Sequence, residues 1–520
     1  MRLIEKEGRF ALLDVPRGVE PAAVWDFNRK PPYWTTTSPY AAAEYFGSAE
    51  GSARDALAPI QKEYDASHKT ESDFYVPVPP GQELKPFQKA SIEYIMARSH
   101  GLIGDPPGLG KTMQGIGISN LMKARKTLVI CPASIRLQWR QKVIEWSTIP
   151  RVFPYPIIRA TDGCAPSAQY VIVSYDLVSR SKAIFDVLMS YDWDHHILDE
   201  GHYLKTPTTR RTVAIFGNNR HVGLASKARR VTVMTGTYLP NRPKEGYTIA
   251  RFIDWSSIDW ASKDAFEYKY NPSTRWEERT GNLGELRVRL RSHFMTRHIK
   301  RDVQKQLPHK EYELAYVEPS GEISRALKAE KSLVGDAGTA EDIMDALAAN
   351  EFSTDGEHIS SVRMQMGLAK APRVAEYVKD VLGGGVDKLV LFAYHRDVIS
   401  LLENSLRAFK PVVIRGETPA AARHQAVQRF ITDPECRLFL GNYRAAGTGI
   451  DGLQKVASRV IFAEASWTPG ENEQAIDRVD RMGQEENVLA QFLVAQDSID
   501  EKILGSAIRK EQTTKEALDG

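Results

Sequence analysis

The 520-residue chain carries 69 Lys and Arg against 66 Asp and Glu, a formal net charge of +3, and 42% of its residues are hydrophobic. This balance excludes a disordered or strongly acidic chain, and the net charge is too small to indicate a polyanionic partner. The length predicts two or three domains, each with its own core. The three cysteines (Cys131, Cys164 and Cys436) are widely spaced, which excludes a disulfide framework or a zinc module.

Residues 1–66 form a small piece rich in aromatic side chains. Trp25 and Trp34 flank a run that also contains Arg29 and Lys30. Aromatic rings stack on exposed bases and basic side chains hold phosphate, so this run is a candidate for recognising a strand junction. The alternative is that both tryptophans fill the core of a tiny domain. Residues 67–83 contain several prolines and are predicted to be a linker.

The sequence GDPPGLGKT, residues 104–112, follows an apolar pair and precedes a helix-like run. A strand, a glycine-rich turn and a helix N-terminus form an anion site, because backbone N–H groups and the helix dipole face it. Lys111 would reach the β- and γ-phosphates of a nucleotide, and the Thr112 hydroxyl would ligate Mg²⁺. Asp105 stands where the phosphate-loop pattern has its first glycine. The alternative is an ordinary glycine-rich turn ahead of a buried helix.

A second candidate site is the sequence HILDEGH, residues 196–202, an apolar strand that ends in two acids. Asp199 would hold Mg²⁺, and Glu200 would act as general base toward water. The alternative is a solvated turn. His195 and His196 alternate across the strand, which disfavours a joint metal role.

Strands alternate with helical patterns in two stretches, residues 84–316 and 362–496, which predicts two mostly parallel sheets. Residues 317–361 between them are polar and are predicted to be helical pieces with a flexible joint, and residues 497–520 a bracing helix. Eight Lys and Arg against two acids lie between Glu285 and Lys310. This excess predicts a groove for phosphates, with a solvated helix face as the alternative. The predicted strands are 127–131, 170–173, 196–198, 231–234, 388–393, 412–414, 438–440 and 460–463.

The sequence QAIDRVDRMGQ, residues 474–484, carries two arginines three positions apart. On a helix Arg478 and Arg481 would share a face, and a guanidinium pairs with phosphate oxygens in two-point contacts. Such an arginine stabilises charge on a γ-phosphate. The alternative is a surface helix whose arginines pair with Asp477 and Asp480.

These motifs, in this order over residues 84 to about 510, resemble the Swi/Snf-type ATPases, the double-stranded DNA translocase branch of helicase superfamily two. The chain departs from the family pattern at Tyr238 (usually proline), His298 (usually arginine) and Asp451 (commonly asparagine). The segment GLAKAPRVAEYVKDVL is most similar to the annealing-helicase, HARP-containing members. The other motifs that carry the resemblance are LKPFQKASIEYI, TLVICPASIRLQWRQKVIEW, VIVSYDLV, VTVMTGTYLPNRPKEGYTI, FMTRHIKRDVQKQLPHK, KLVLFAYHRDVISLLENSL, VIRGETPAAARHQAVQRF and GNYRAAGTGIDGL.

The resemblance implies an α/β fold of two RecA-like lobes with helical insertions and a small N-terminal module. It also implies a role for particular residues. Those expected to act in catalysis are Lys111, Glu200, Gln474, Arg478 and Arg481. Those expected to bind ATP are Gln88 (reading the adenine), Asp105, Gly108, Gly110, Lys111, Thr112, Asp199, Gly449 and Asp451. Of these, Thr112 and Asp199 are expected to hold Mg²⁺. Those expected to contact DNA are Ser134, Ser174, Tyr175, Thr235, Thr237, Arg297, Lys300 and Arg444.

The function implied is ATP-driven tracking on double-stranded or branched DNA, with remodelling or reannealing of the strands. A single-strand-binding protein is a candidate partner, and we expect a monomeric, intracellular (cytoplasmic) protein with no membrane segment. Two alternatives remain at this stage. Asp451 is compatible with a strand-separating helicase. The second alternative is a non-hydrolysing DNA-binding scaffold, although such a scaffold would have no need of Lys111, Glu200 and Arg478.

Overall fold

The chain divides into two compact units, Met1–Val303 and Gln304–Glu511. The computed structural model describes residues 1–6, 8–15, 24–26, 33–163, 165–239, 242–271, 282–303, 310–334, 354–442, 450–466, 469–481, 483–502 and 504. No helix in these ranges is long and apolar enough to cross a membrane.

The N-terminal segment forms a small antiparallel sheet followed by two helices. Its strands have the spatial order β1-β2-β4-β3. Leu3, Leu12 and Leu57 form a small core, to which Val288 from further along the chain contributes and against which Trp34 packs. The structure therefore favours a core role for Trp34, while the side chain of Trp25 lies outside the described residues. The elements are β1 (Arg2–Lys6), β2 (Arg9–Leu13), β3 (Val24–Asp26), β4 (Tyr33–Thr36), α1 (Pro39–Ala43) and α2 (Gly51–Ala66).

The rest of the first unit is built on a seven-stranded parallel sheet of order β11-β5-β10-β9-β6-β8-β7. All five residues of β6 and of β8 are buried, as expected for strands covered on both faces. The strands are β5 (Gly101–Ile103), β6 (Thr127–Cys131), β7 (Pro154–Pro156), β8 (Tyr170–Ser174), β9 (Trp193–Asp199), β10 (Ala228–Met234) and β11 (Met295–Thr296).

Helices cover both faces of this sheet. Successive residues of a strand point to opposite faces, so one strand contributes to two cores. Leu128 and Ile130 belong to one core, and Val129 and Cys131 belong to the other. His195 of β9 is completely buried, and its ring contacts the hydroxyls of Ser119 and Thr232. The helices are α3 (Pro86–Met96), α4 (Lys111–Leu121), α5 (Arg136–Trp146), α6 (Tyr175–Arg180), α7 (Lys182–Met189), α8 (Arg210–Phe216), α9 (Tyr247–Ile253), α10 (Lys263–Tyr270), α11 (Leu283–His293) and α12 (Lys300–Val303).

The second unit contains a six-stranded parallel sheet of order β12-β17-β16-β13-β15-β14. The strands are β12 (Lys310–Tyr316), β13 (Leu389–Ala393), β14 (Val412–Ile414), β15 (Leu438–Asn442), β16 (Arg459–Phe462) and β17 (Val488–Val494). The helices are α13 (Gly321–Val334), α14 (Thr354–Gly383), α15 (Arg396–Ser405), α16 (Ala420–Thr432) and α17 (Pro469–Ile476).

The predicted fold class of two parallel-sheet α/β lobes is confirmed, but one predicted boundary is wrong. Strand β12 pairs with β17 along its whole length and so belongs to the second unit, not to the first. Its mostly exposed, polar sequence is typical of an edge strand and gives no continuous apolar signal. Of the predicted helix over residues 497–520, residues 499–502 are helical and most of the remainder lies outside the described residues.

A buried ion cluster joins α14 to the chain that follows β17. The Lys370 ammonium donates to the Asp500 carboxylate. It also donates to the Leu493 carbonyl at 3.0 Å. Arg363 donates to the Ala465 carbonyl at 2.9 Å and lies 3.4 Å from Asp500. Burial alone would raise the pKa of Asp500, but the charges of Lys370 and Arg363 outweigh burial and lower it. The carboxylate is therefore held ionised inside the second unit.

Lys370→Ala should destabilise the folded chain strongly, because Asp500 would lose its nearest cation while remaining buried. We expect the free energy of unfolding to fall by about 3–5 kcal/mol, measured by urea unfolding of the full chain. Arg373→Ala is the matched control on the same helix, since Arg373 pairs with Glu376 at the surface, and it should leave the transition unchanged. Equal effects of the two substitutions would contradict a stabilising role for the buried cluster.

Candidate active site

Three predicted motifs of the first unit meet at one edge of its sheet. The glycine-rich loop follows β5, the segment Thr235 to Thr237 follows β10, and Asp199 ends β9. Strand β10 lies between β5 and β9 and pairs in parallel with both. The carboxyl ends of parallel strands share an edge, which is where ligands bind in open α/β sheets. The sequence motifs are thereby brought into one neighbourhood.

The loop between β5 and α4 has the backbone of an anion-binding turn. Gly108 and Gly110 have φ values of +86° and +79°, which favour glycine over other residues. A Cβ atom at Gly110 would lie 2.4 Å from Nε2 of Gln88. Helix α4 begins at Lys111 with Thr112 in its first turn, so its N-terminal end faces the loop. The Lys111 ammonium donates to the carbonyl oxygens of Asp105 at 2.7 Å and Pro106 at 3.2 Å.

Two predicted nucleotide contacts have side chains engaged within the protein. The Gln88 amide donates to the Leu109 carbonyl and accepts from the Lys85 N–H, both at 2.9 Å. The Asp105 carboxylate is completely buried and accepts hydrogen bonds from Gln114 and His298. These contacts favour a loop-positioning role for Asp105 over the direct nucleotide contact that the sequence predicts. Adenine recognition by Gln88 stays a prediction.

Asp199 accepts hydrogen bonds from its neighbour Glu200 and from two distant residues. The Trp139 indole N–H donates to Oδ2 of Asp199 at 2.7 Å, and the Glu200 N–H donates to Oδ1 at 3.0 Å. The Tyr175 hydroxyl donates to the Asp199 carbonyl at 2.8 Å. Burial, and next the negative charge of Glu200, raise the pKa of Asp199 to about 6. A cation would relieve this cost, and the oxygen donors of Asp199, Glu200 and Thr112 are the type that Mg²⁺ prefers.

Glu200 adopts a left-handed backbone with φ +53° and ψ +52°, which is uncommon outside glycine and is typical of functional turns. Its carboxylate lies 3.3 Å from Nδ1 of His202. The same nitrogen contacts the hydroxyls of Thr235 at 3.1 Å and Thr237 at 3.0 Å. His202 therefore links the acid pair to the segment after β10. The sequence shows His202 as part of a motif but gives no sign of this contact, since its partners are more than 30 residues away.

Four predicted DNA contacts face the interior. Ser174 and Tyr175 are only 2% and 3% exposed, and Ser174 caps helix α6 by accepting from the Leu177 N–H. Thr235 is completely buried. Arg297 is 7% exposed and donates to the carbonyls of Gly104 and Gly236. These side chains hold the strand ends together in the structure, and direct DNA contact by them stays a prediction.

The arginines that the predicted basic groove takes from α11 are mostly internal. Arg289 and Arg291 are each 3% exposed. Arg289 forms ion pairs with Asp259 at 2.6 Å and Glu285 at 2.8 Å, and Arg287 lies 3.5 Å from Glu44. The arginines therefore fix α11 within the first unit instead of forming a phosphate track. A count of charges along the sequence cannot separate an internal arginine from an exposed one.

The second unit brings together the predicted residues Asp451 and Arg481. A guanidinium nitrogen of Arg481 lies 3.3 Å from Oδ1 of Asp451, which is well exposed. Helix α17 ends at Ile476 and includes Gln474, so Arg478 and Arg481 follow the helix in turns. The prediction that these arginines share a helix face is therefore wrong. Lys310 of β12 approaches Glu473, Asp477 and Asp480 at 2.9, 3.9 and 3.6 Å.

Some predicted residues receive no structural description. Gly449 and Arg444 lie outside the described residues, as does the side chain of Ser134. Lys300 is half-buried in α12 and Thr237 is half-buried beside His202. DNA contact by these residues stays a prediction.

The two parallel-sheet units and the glycine-rich loop beside an acid pair place the protein in the class of two-lobed P-loop α/β proteins. The chain belongs to the SNF2-related family. The model described as SNF2-related domain matches residues 87–361, and that described as Helicase conserved C-terminal domain matches residues 373–483.

Curated relatives support this assignment. The chain is 30% identical over 458 residues to DNA annealing helicase and endonuclease ZRANB3 of Homo sapiens, covering 84% of this chain and 40% of that protein. It is also 30% identical over 458 residues to SWI/SNF-related matrix-associated actin-dependent regulator of chromatin subfamily A-like protein 1 of Bos taurus. That similarity covers 82% of this chain and 45% of that protein. The chain thus spans less than half the length of these relatives.

Among solved structures, the Sulfolobus solfataricus SWI2/SNF2 ATPase core in complex with dsDNA is similar to this chain at 18% sequence identity, with a TM-score of 0.41. The similarity covers 86% of this chain and 99% of that chain.

Trp139→Phe should weaken the Mg²⁺-dependent nucleotide hydrolysis that the sequence predicts, because it keeps the buried ring but removes the donor to Asp199. We expect the Mg²⁺ concentration for half-maximal hydrolysis to rise about 10- to 100-fold, as for lost outer-shell partners of metal ligands. Trp193→Phe is the matched control, since Trp193 is equally buried but its indole donates to the Leu188 carbonyl. An unchanged Mg²⁺ dependence in Trp139→Phe would show that this bond does not orient the carboxylate.

Proposed function

We propose that the chain is an ATP-dependent double-stranded DNA translocase that remodels or reanneals branched DNA. The observation that carries the proposal is the position of Lys111 on a glycine-rich loop, close to Asp199 and Glu200, in a chain of the SNF2-related family. A phosphate-binding loop and a neighbouring acid pair are the parts that nucleotide hydrolysis requires.

In this proposal the first unit binds ATP with Mg²⁺. Thr112 and Asp199 would hold the ion, which would neutralise charge on the phosphates. Lys111 and the N–H groups at the start of α4 would bind the phosphates. Glu200, whose carboxylate lies 3.3 Å from His202, would orient and deprotonate the attacking water.

The second unit would supply the positive charge that completes hydrolysis. Arg478 and Arg481 are the candidates, and a guanidinium that contacts the γ-phosphate accelerates its transfer by orders of magnitude. The contact between Arg481 and Asp451 supports a role for Asp451 in orienting that arginine. The residues predicted to contact DNA would bind its phosphates. Tracking along the duplex would then be independent of base sequence and sensitive to salt.

The reannealing part of the proposal comes from the relatives. One is named a DNA annealing helicase, and the similarity covers most of this chain. The segment GLAKAPRVAEYVKDVL, within α14 of the second unit, also resembles the annealing-helicase members of the family. Because the chain spans less than half of that relative, the activity is a proposal for this chain and its endonuclease function is not carried over.

ATP hydrolysis should be stimulated by double-stranded DNA more than by single-stranded DNA or RNA. Lys111→Ala should lower the stimulated rate by at least about 100-fold, because it removes a charge that stabilises the transferred phosphoryl group. The measurement is steady-state ATP turnover with each nucleic acid added to the full chain. Lys126→Ala is a matched control, since Lys126 bonds carbonyls of residues 166 and 168 away from the loop. Stimulation chiefly by single strands would favour the strand-separating helicase.

Reannealing should be seen directly with complementary strands coated by a single-strand-binding protein. We expect the wild-type chain with ATP to restore the duplex, and Glu200→Gln to fail, because it removes the proposed base while preserving the size of the side chain. A duplex with a single-stranded tail is the companion substrate and should stay paired. Unwinding from the tail, lost in Glu200→Gln, would reject reannealing in favour of strand separation.

A further inference from the structure

A histidine behind the phosphate-binding loop connects two segments of the first unit. His298 follows β11, is 1% exposed, and lies outside the residues predicted to bind nucleotide or DNA. Its Nδ1 is 2.9 Å from Oδ1 of Asp105, and its Nε2 is 3.0 Å from the carbonyl oxygen of Lys69. Its backbone N–H also donates to Asp105 at 3.0 Å.

The partners of this ring define its protonation. A carboxylate oxygen and a carbonyl oxygen are acceptors, so both ring nitrogens must donate, and only the imidazolium has two N–H groups. Asp105 receives a further donor from the Gln114 amide at 2.9 Å, which suits an ionised carboxylate. The geometry therefore describes a buried imidazolium–carboxylate pair.

The pair also anchors the chain that leaves the N-terminal helix α2. The Ser67 carbonyl accepts from the Thr296 hydroxyl at 2.8 Å and from the Arg297 N–H at 3.0 Å. The Lys69 carbonyl accepts from His298. These bonds run from the end of α2 through residues 296–298 to Asp105, whose own carbonyl accepts from Lys111.

We propose that His298, as an imidazolium, is a positioning residue of the phosphate-binding loop that ties Asp105 to the segment after α2. The inference rests on the proposed function in that nucleotide is the ligand of the loop. Loss of the charge would leave Asp105 buried without a cation and would let the loop shift. A hydrogen bond to a charged group contributes on the order of 10- to 100-fold to an equilibrium constant, which sets the size of the expected loss.

The charges around His298 give the sign of the pH dependence. Burial alone would lower the pKa of His298, but Asp105 outweighs burial and raises it. Arg291 of α11 opposes this rise. Burial, and next the charge of Arg291, lower the pKa of the nearby His68. Arg297 points to the carbonyls of Gly104 and Gly236. The contribution of His298 is therefore complete below its unfolded pKa of about 6.5 and is lost as the pH rises through the folded value.

The test is the affinity for ADP, measured by calorimetry on the full chain without turnover. His298→Asn keeps one donor but no charge and should bind ADP about 10- to 100-fold more weakly. His298→Arg carries a permanent cation and should retain most of the affinity. Between about pH 7.5 and 10, where ADP phosphates are fully ionised, wild-type affinity should fall more than that of His298→Arg. His221→Asn, at an exposed histidine, should match the wild type.

Either of two results would overturn the inference. One is His298→Asn with wild-type affinity, and the other is His298→Arg with the alkaline loss of the wild type, which would assign that loss to another group. If His298→Asn does not fold, the comparison of the wild type with His298→Arg still decides. Failure of the proposed function is distinct, since it would show as absent ATP turnover or absent ADP binding in the wild type itself.

Discussion

The parallel pairing of β10 with β5 on one side and β9 on the other is the constraint on which the site depends. Hydrogen bonding in register brings Met234 level with both Ile103 and Asp199. The segments that follow these three residues must then leave the sheet at one edge. The loop, the acid pair and the threonine segment are thus assembled by backbone pairing before any side chain of the site makes a contact.

Internal arginines and their partners hold the ends of these strands. Arg297 reaches two carbonyls at the ends of β5 and β10, Arg230 reaches the end of α3, and Arg289 satisfies two carboxylates. A planar guanidinium with five donors is suited to several acceptors at once. These internal arginines therefore serve the packing of the first unit.

Local signals in the sequence predicted the strands and the loop well. The apolar runs of β6 and β14 begin and end where predicted, because burial on both faces demands continuous hydrophobic residues. The glycines with positive φ were equally visible, since the phosphate-loop spacing needs them. What the sequence could not supply were contacts between distant residues: Trp139 and Asp199 are 60 positions apart, and His298 and Asp105 are 193 apart. The burial of Ser174 and Arg297 was invisible for the same reason, because it is decided by the tertiary fold.

Two departures from the family pattern lie inside the first unit, where they alter support for the site. Tyr238 is completely buried and donates from its hydroxyl to the Gly246 carbonyl at 2.7 Å, directly after the threonine segment. His298 supplies the cation for Asp105 behind the loop. Both residues follow strands whose ends carry site motifs, so each change acts on the orientation of a motif and not on its chemistry. The chain therefore keeps Lys111, Asp199 and Glu200 in its motifs, while different donors support these motifs from behind.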